Sequence, residues 1–342
     1  MARAASGSKP SACIALHGTC RVCERQPHFL TLRALLDSRR RIDGQHAACR
    51  AANRQILESK NVNNDAAYYE SAYNPRLAVP RYADHFERWR KKSAAARSAL
   101  AGYLDVPYGP HSMEKLDIFR AKGQSRALLV FIHGGYWRAL DKSDHSFVAE
   151  PFVERGVTVA LLNYALAPSV HVQDIVLQVL QGCAWLFRNG SNFGAPAAKV
   201  FVAGHSAGGH LTAMTLAALW PKFSRDLPRK VVQAGLAVSG VYDIAPIMHT
   251  PSINVDVGLT AAEVSRVSPA LLPPATDAPL YTAVGGREQE GFHHQNQLIR
   301  EKWKSVARDD LACPDDDHFT ILERFATPGS ALFRGATKML GL

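Results

Sequence analysis

Two stretches of the chain, Ala127–Ile132 and Val157–Leu162, are apolar almost without interruption, and so are residues 200–203, Val232–Val238 and residues 280–284. Apolar runs of this length, without polar alternation, predict strands buried on both faces. Residues 116–119 read as a further short strand. Between these runs the period changes to that of a helix. Residues 172–188 place Ile175, Val176, Val179, Leu180, Cys183, Ala184 and Leu186 on one stripe. Residues 82–101 do the same with Phe86, Trp89 and Ala94, Ala95 and Ala96, and helices are also predicted over 207–219, 292–306 and 319–326. Buried strands alternating with amphipathic helices predict an α/β fold, a mostly parallel central sheet flanked by helices on both faces. Right-handed crossovers then gather any site at the carboxyl ends of the strands.

The first 60 residues break this pattern. They hold eleven Lys/Arg against four Asp/Glu, so +7 of the formal net charge of +10 falls there and only +3 on the rest. A basic tail on a nearly balanced globule, with no recognition motif beside it, predicts no nucleic-acid partner. No apolar run approaches the ~20 residues that span a bilayer, so no membrane partner is expected either. Residues 1–61 are therefore read as a basic, Cys-containing extension, disordered or a start-site artefact, and residues 62–342 as the folded unit. A transit peptide shares the Arg-rich, acid-poor character of this stretch, and residues 29–42 could form a short basic helix. Four of the six cysteines, Cys13, Cys20, Cys23 and Cys49, lie in it. The Cys20-x-x-Cys23 pair with His17, His28, His46 and Cys49 invites a zinc reading, but the spacing after that pair is not that of a familiar finger. Cys183 and Cys313 sit in a predicted helix and a late loop. This is not a secreted disulfide framework, and a reducing cytoplasm is the expected compartment.

Candidate chemistry falls at the predicted strand ends. Gly204-His205-Ser206-Ala207-Gly208 is a G-x-S-x-G sequence between a strand and a helix. In that context the chain reverses within a few residues, the glycines remove side chains that would clash, and the serine hydroxyl is exposed as a nucleophile. His133-Gly134-Gly135-Tyr136-Trp137 follows the strand ending at Ile132. Its successive glycines let backbone N–H groups approach a substrate oxygen. Gly134, Gly135 and Tyr136 are candidate oxyanion donors there, with the N–H of Ala207 as the second contribution. Trp137, Tyr164 and Phe292, with Tyr136, are candidates for an aromatic wall that binds substrate, with core packing an equal alternative for Tyr136 and Trp137. His133, His205 and His210 are read as locally packed or hydrogen-bonded histidines.

A serine needs a general base, and the base needs an orienting acid. Of fourteen histidines, His318 in Asp316-Asp317-His318-Phe319 stands in the expected late loop, after the acid in chain order. The acid is expected after the strand 280–284, where Glu288 and Glu290 follow Gly285-Gly286-Arg287. Glu288 is preferred, and Asp243 is the fallback, though it could equally cap a helix. These motifs specify the α/β-hydrolase fold.

Longer strings around the motifs resemble one family within that fold. His133-Gly134-Gly135-Tyr136-Trp137-Arg138, Asp141-Lys142-Ser143, Gly204 through His210, and Asp317-His318-Phe319 look like the kynurenine formamidase (arylformamidase) group. Tyr73-Asn74-Pro75, Leu116-Asp117-Ile118-Phe119 and Phe292-His293-His294-Gln295 fit the same group, so the resemblance runs from about residue 68 to the end. It implies hydrolysis of N-formyl-L-kynurenine to kynurenine and formate, with Ser206 as nucleophile, Glu288 as acid, His318 as base and no cofactor or metal. Well-characterised members carry aspartate where this chain has Glu288. The expected partner is a small-molecule substrate, and a homodimer is left open. A short-chain carboxylesterase using the same triad is the alternative activity. A non-catalytic binding module is disfavoured by the intact serine, histidine and acid candidates.

Overall fold

The computed structural model describes residues 66–196 and 199–342. The expectations for residues 1–61, the zinc reading and the basic helix among them, lie outside the described residues. Eight strands, β1 (Gly102–Pro107), β2 (Lys115–Phe119), β3 (Ala127–Ile132), β4 (Val157–Leu162), β5 (Val200–His205), β6 (Val232–Val238), β7 (Leu280–Gly285) and β8 (Ala307–Cys313), form one sheet. Their order across it is β1-β2-β4-β3-β5-β6-β7-β8. β2 runs antiparallel to β1 and β4, and every pair from β4 to β8 is parallel.

The continuous apolar runs are explained by two cores, one on each face of the sheet. In β3, Leu128, Val130 and Ile132 enter one core and Ala127, Leu129 and Phe131 the other, as the two-residue period of a strand requires. Onto the first face pack helices α1 (Ala66–Tyr73), α3 (Val172–Asn189), α4 (Ala207–Ala217), α5 (Pro251–Val257) and α6 (Glu290–Lys302). Onto the second pack α2 (Tyr82–Ala99), α7 (Thr320–Phe325) and α8 (Ala331–Met339). Phe152 anchors the second core, with its ring 5.1 Å from that of Phe325 and 4.9 Å from that of Phe333. Helix α4 is buried along its whole length, which suits a helix apolar on every side.

Three readings of the pattern are corrected. The edge strands β1 and β8 escaped it because edges carry no continuous apolar run: β8 reads Ala-Arg-Asp-Asp-Leu-Ala-Cys and is largely exposed. Cys313 accordingly ends a strand rather than lying in a loop. The helix expected to reach residue 306 stops at Lys302, where Trp303 caps it and the chain turns into β8. Helix α8, absent from the prediction, is short and buries only Leu332, Phe333, Gly335, Ala336 and Met339.

Candidate active site

The ends of β3, β5 and β6 carry most of the unusual backbone among the described residues. Among the described residues, six other than glycine have positive φ: Asp105, Tyr136, Trp137, Leu140, Ser206 and Ser239. All but Asp105 lie just past a strand's carboxyl end, and left-handed non-glycine residues cluster where function requires them. Ser206 has φ 58° and ψ −121°, between the last residue of β5 and the first of α4. The turn needs its glycines. A Cβ on Gly204 would collide with the Gly208 carbonyl, and one on Gly208 with the Ile132 carbonyl. The Ser206 N–H donates to Val238 O at 2.8 Å, which extends the β5–β6 ladder by one residue and pins the turn.

From this turn a hydrogen-bonded line crosses the strand ends. Ser206 Oγ lies 3.0 Å from His318 Nε2, and His318 Nδ1 lies 2.6 Å from Glu288 Oε2. A carboxylate only accepts, so Nδ1 carries the proton and Nε2 offers its lone pair to the serine hydroxyl. Glu288 Oε1 accepts from Ser239 Oγ and from the Gly285 N–H, each at 2.6 Å. His205 donates from Nε2 to the His318 carbonyl at 2.8 Å and so holds the loop that carries the imidazole. Burial, with His318 beside it, keeps His205 well below the ordinary imidazole pKa, so it is neutral. Ser206 and His318 are each only 3% exposed.

The loop after β3 lies against this line. A Cβ on Gly134 would stand 3.0 Å from Ser206 Cβ and 2.8 Å from His205 O. Gly135 has φ 104°, and a side chain there would run into the Ala139 carbonyl. The N–H groups of Gly134, Gly135, Tyr136 and Ala207 meet no protein acceptor among the described residues. Beneath the loop His133 stacks on Tyr164 at 4.3 Å, and the Tyr164 hydroxyl donates to His133 O at 2.8 Å. Burial, then neighbouring His145, lowers the His133 pKa to about 4. This histidine braces the loop and stays uncharged.

The aromatic candidates lie in the core, which for Trp137 is the packing alternative. Trp137, Tyr164 and Phe292 are fully buried and present no surface to a substrate. Trp137 Nε1–H donates to His210 Nδ1 at 3.3 Å, and His210 Nε2–H to Val267 O at 2.6 Å, which ties both into the core. Tyr164 supports the loop from below, and Phe292 packs 4.4 Å from the His318 ring. Tyr136 keeps a little exposure, and its hydroxyl donates to the Tyr73 carbonyl. Asp243 is not brought to His318; its Oδ1 accepts at 3.0 Å from the N–H of Ala245, the first residue of the short helix Ala245–Met248. Glu290 begins α6.

Two features have no local sequence signal. Ser239 follows β6 beside Gly240, and only the neighbouring strands bring it to Glu288. Helix α1 and Asn74 border the acid loop. Gln289 donates to Asn74 O at 2.7 Å, Asn74 to Ser252 Oγ at 3.0 Å, and the Ser252 N–H to Glu70 at 2.6 Å. Helix α1 is thereby joined to α5 and to the acid loop.

A serine on a strained strand–helix turn, hydrogen-bonded to a late-loop histidine at the end of this sheet, defines an enzyme of the α/β-hydrolase fold, a serine hydrolase. A family model described as alpha/beta hydrolase fold matches residues 129–294. Kynurenine formamidase of Danio rerio is 29% identical over 286 residues, 80% of this chain and 94% of the relative. That of Salmo salar is 30% identical over 269 residues, 75% and 88%. A crystal structure from Silicibacter sp. tm1040 superposes with a TM-score of 0.69 at 30% identity, covering 78% of this chain and 98% of the other. The chain belongs to the kynurenine formamidase-like family of α/β-hydrolases. Among the described residues no helix is long and apolar enough to cross a membrane.

Proposed function

We propose that this enzyme is an arylformamidase that hydrolyses N-formyl-L-kynurenine to L-kynurenine and formate. The observation that carries the reading is the line from Ser206 Oγ through His318 to Glu288, beside backbone N–H groups that meet no protein acceptor among the described residues. His318 Nε2 takes the hydroxyl proton as Ser206 Oγ attacks the formyl carbon. Glu288 holds the tautomer and stabilises the imidazolium. The N–H of Ala207 and those of the Gly134–Gly135–Tyr136 loop receive the oxyanion; one such donor is typically worth about 10²–10³ in rate. The C–N bond then breaks, His318 returns the proton to the departing arylamine nitrogen, and formyl-Ser206 remains. Water, deprotonated by His318, attacks that ester, and formate leaves as Ser206 regains its proton.

The close approach of Gly134 to Ser206 supports a small acyl group, because little room is left on that side of the nucleophile. The family relationship supports the arylamine half. Cys183 and Cys313 are free, buried thiols, which fits action in a reducing cytoplasm. The test is hydrolysis of N-formyl-L-kynurenine beside p-nitrophenyl acetate by the purified chain and by Ser206→Ala. The reading requires turnover of the formamide that the substitution lowers by about 10⁴ or more. Serine-dependent ester turnover without formamide turnover would make the enzyme a short-chain carboxylesterase instead.

A further inference from the structure

Ser239 is built like Ser206, one strand over. β5 and β6 are parallel neighbours, and each is followed by a serine with left-handed backbone, φ 58° at Ser206 and 52° at Ser239. Each serine N–H steps onto the next strand, Ser206 to Val238 O and Ser239 to Ala283 O, both at 2.8 Å. The same construction thus sets two hydroxyls in a row across the strand ends. One meets His318 Nε2 at 3.0 Å, and the other meets Glu288 Oε1 at 2.6 Å.

We infer that Ser239 is a positioning residue for the hydrolytic reaction: its hydroxyl fixes the Glu288 carboxylate so that Oε2 faces His318 Nδ1. The inference rests on the reading of Ser206, His318 and Glu288 as the reacting line. A glutamate has one more rotatable bond than an aspartate, and its last torsion is broad and weakly determined. With one oxygen bound to His318 alone, the carboxylate plane could swing. Ser239 O–H and Gly285 N–H both donate to the other oxygen and hold the plane from the far side. Gly285 N–H comes from the backbone at the end of β7, so Ser239 is the side chain that completes the clamp.

The backbone points the same way. Glycine adopts φ near 50° without strain, and serine does not. Here a serine occupies that conformation, 1% exposed, and a carboxylate that can only accept uses its one O–H donor. Local packing alone gives no reason for a hydroxyl at this strained, buried place. The bond to Glu288 does.

The experiment compares Ser239→Ala and Ser239→Gly, each in the native chain and in Glu288→Gln, by steady-state hydrolysis of p-nitrophenyl acetate. This ester reports on the serine, histidine and acid whether or not formamide is the physiological substrate. In the native chain both substitutions lower kcat roughly tenfold, the effect of one charge-assisted hydrogen bond, with KM unchanged within about twofold. Ser239→Gly is at least as heat-stable as Ser239→Ala, because it relieves the left-handed φ, yet it is no more active. In Glu288→Gln neither substitution costs further activity: the amide oxygen can still accept from residue 239, but the carboxylate charge that its placement serves is gone. Recovery of native kcat by Ser239→Gly would overturn the inference by showing that only the backbone matters. So would an equal loss in both backgrounds. Native kcat in Glu288→Gln itself would remove the acid, and with it both readings, and so is told apart from failure of Ser239 alone.

Discussion

The body of the sheet and its carboxyl rim differ within single strands. β3 is buried and apolar from Ala127 to Ile132, and its side chains divide evenly between two cores. Within a few residues the chain reaches His133, buried and polar, then Gly135, Tyr136 and Trp137, all left-handed. β5 changes in the same way from Val202 and Ala203 to His205 and Ser206. The body gains stability from burial; the rim holds strained backbone and uncharged buried histidines, each of which costs stability. Neither would persist alone. A rim of this kind is held only because the strands beneath it are fixed on both faces, and the difference shows where each kind of change should be felt.

Acid should break the rim first, and this is the largest effect expected. Burial lowers the pKa of His133, His145 and His210 to about 4 each, against about 6.5 for a free imidazole. The folded value lies below the unfolded one, so the unfolded chain binds protons first as pH falls. Stability is full above about pH 6.5 and is lost progressively toward about pH 4. Each histidine removes up to about 3 kcal/mol across that window. Denaturant midpoints measured from pH 8 to 4 should fall steeply below pH 6.5, with two to three protons taken up on unfolding. A flat profile over that range would mean the histidines are not buried as described.

Phe152→Ala tests the body. Removing a ring packed between Phe325 and Phe333 should cost about 3–5 kcal/mol of unfolding free energy. The activity per folded molecule should stay near native, because Phe152 lies in the second core and touches none of the rim. An equal loss of kcat would show that body and rim are less separable than the structure implies. The smallest effect belongs to neither region. Lys122 and Glu154 form an exposed pair at 3.0 Å, and Lys122→Ala should change stability by at most about 0.5 kcal/mol, read from the urea midpoint.

The same division decides what was legible in the sequence. β3, β4, β5, β6 and β7 stood out because burial on both faces demands unbroken apolar runs. β1 and β8 did not, because an edge strand is half solvated and β8 carries Arg308, Asp309 and Asp310. At the rim, Ser206, Glu288 and His318 could be selected from motifs and chain order, and the structure brings the three within hydrogen-bonding reach. Ser239 could not be selected, since its place depends on β6 lying between β5 and β7, a fact of topology with no local signature. The aromatic residues were misplaced for a related reason. Their composition suggested a pocket wall, but Trp137, Tyr164 and Phe292 are spent on fixing the loop and the imidazole from behind.

The contact between helix α1 and the loop after β3 has a practical side. Helix α1 is the first described element and reaches the site directly, through the Tyr73 carbonyl that receives the Tyr136 hydroxyl. A fusion joined directly at Ala66 would therefore start about 12 Å of helix from that contact. The other end of the chain is far more forgiving, since α8 packs on the opposite face of the sheet, against the second core. For affinity handles, fluorescent fusions or immobilisation on a support, the carboxyl terminus is the end to use.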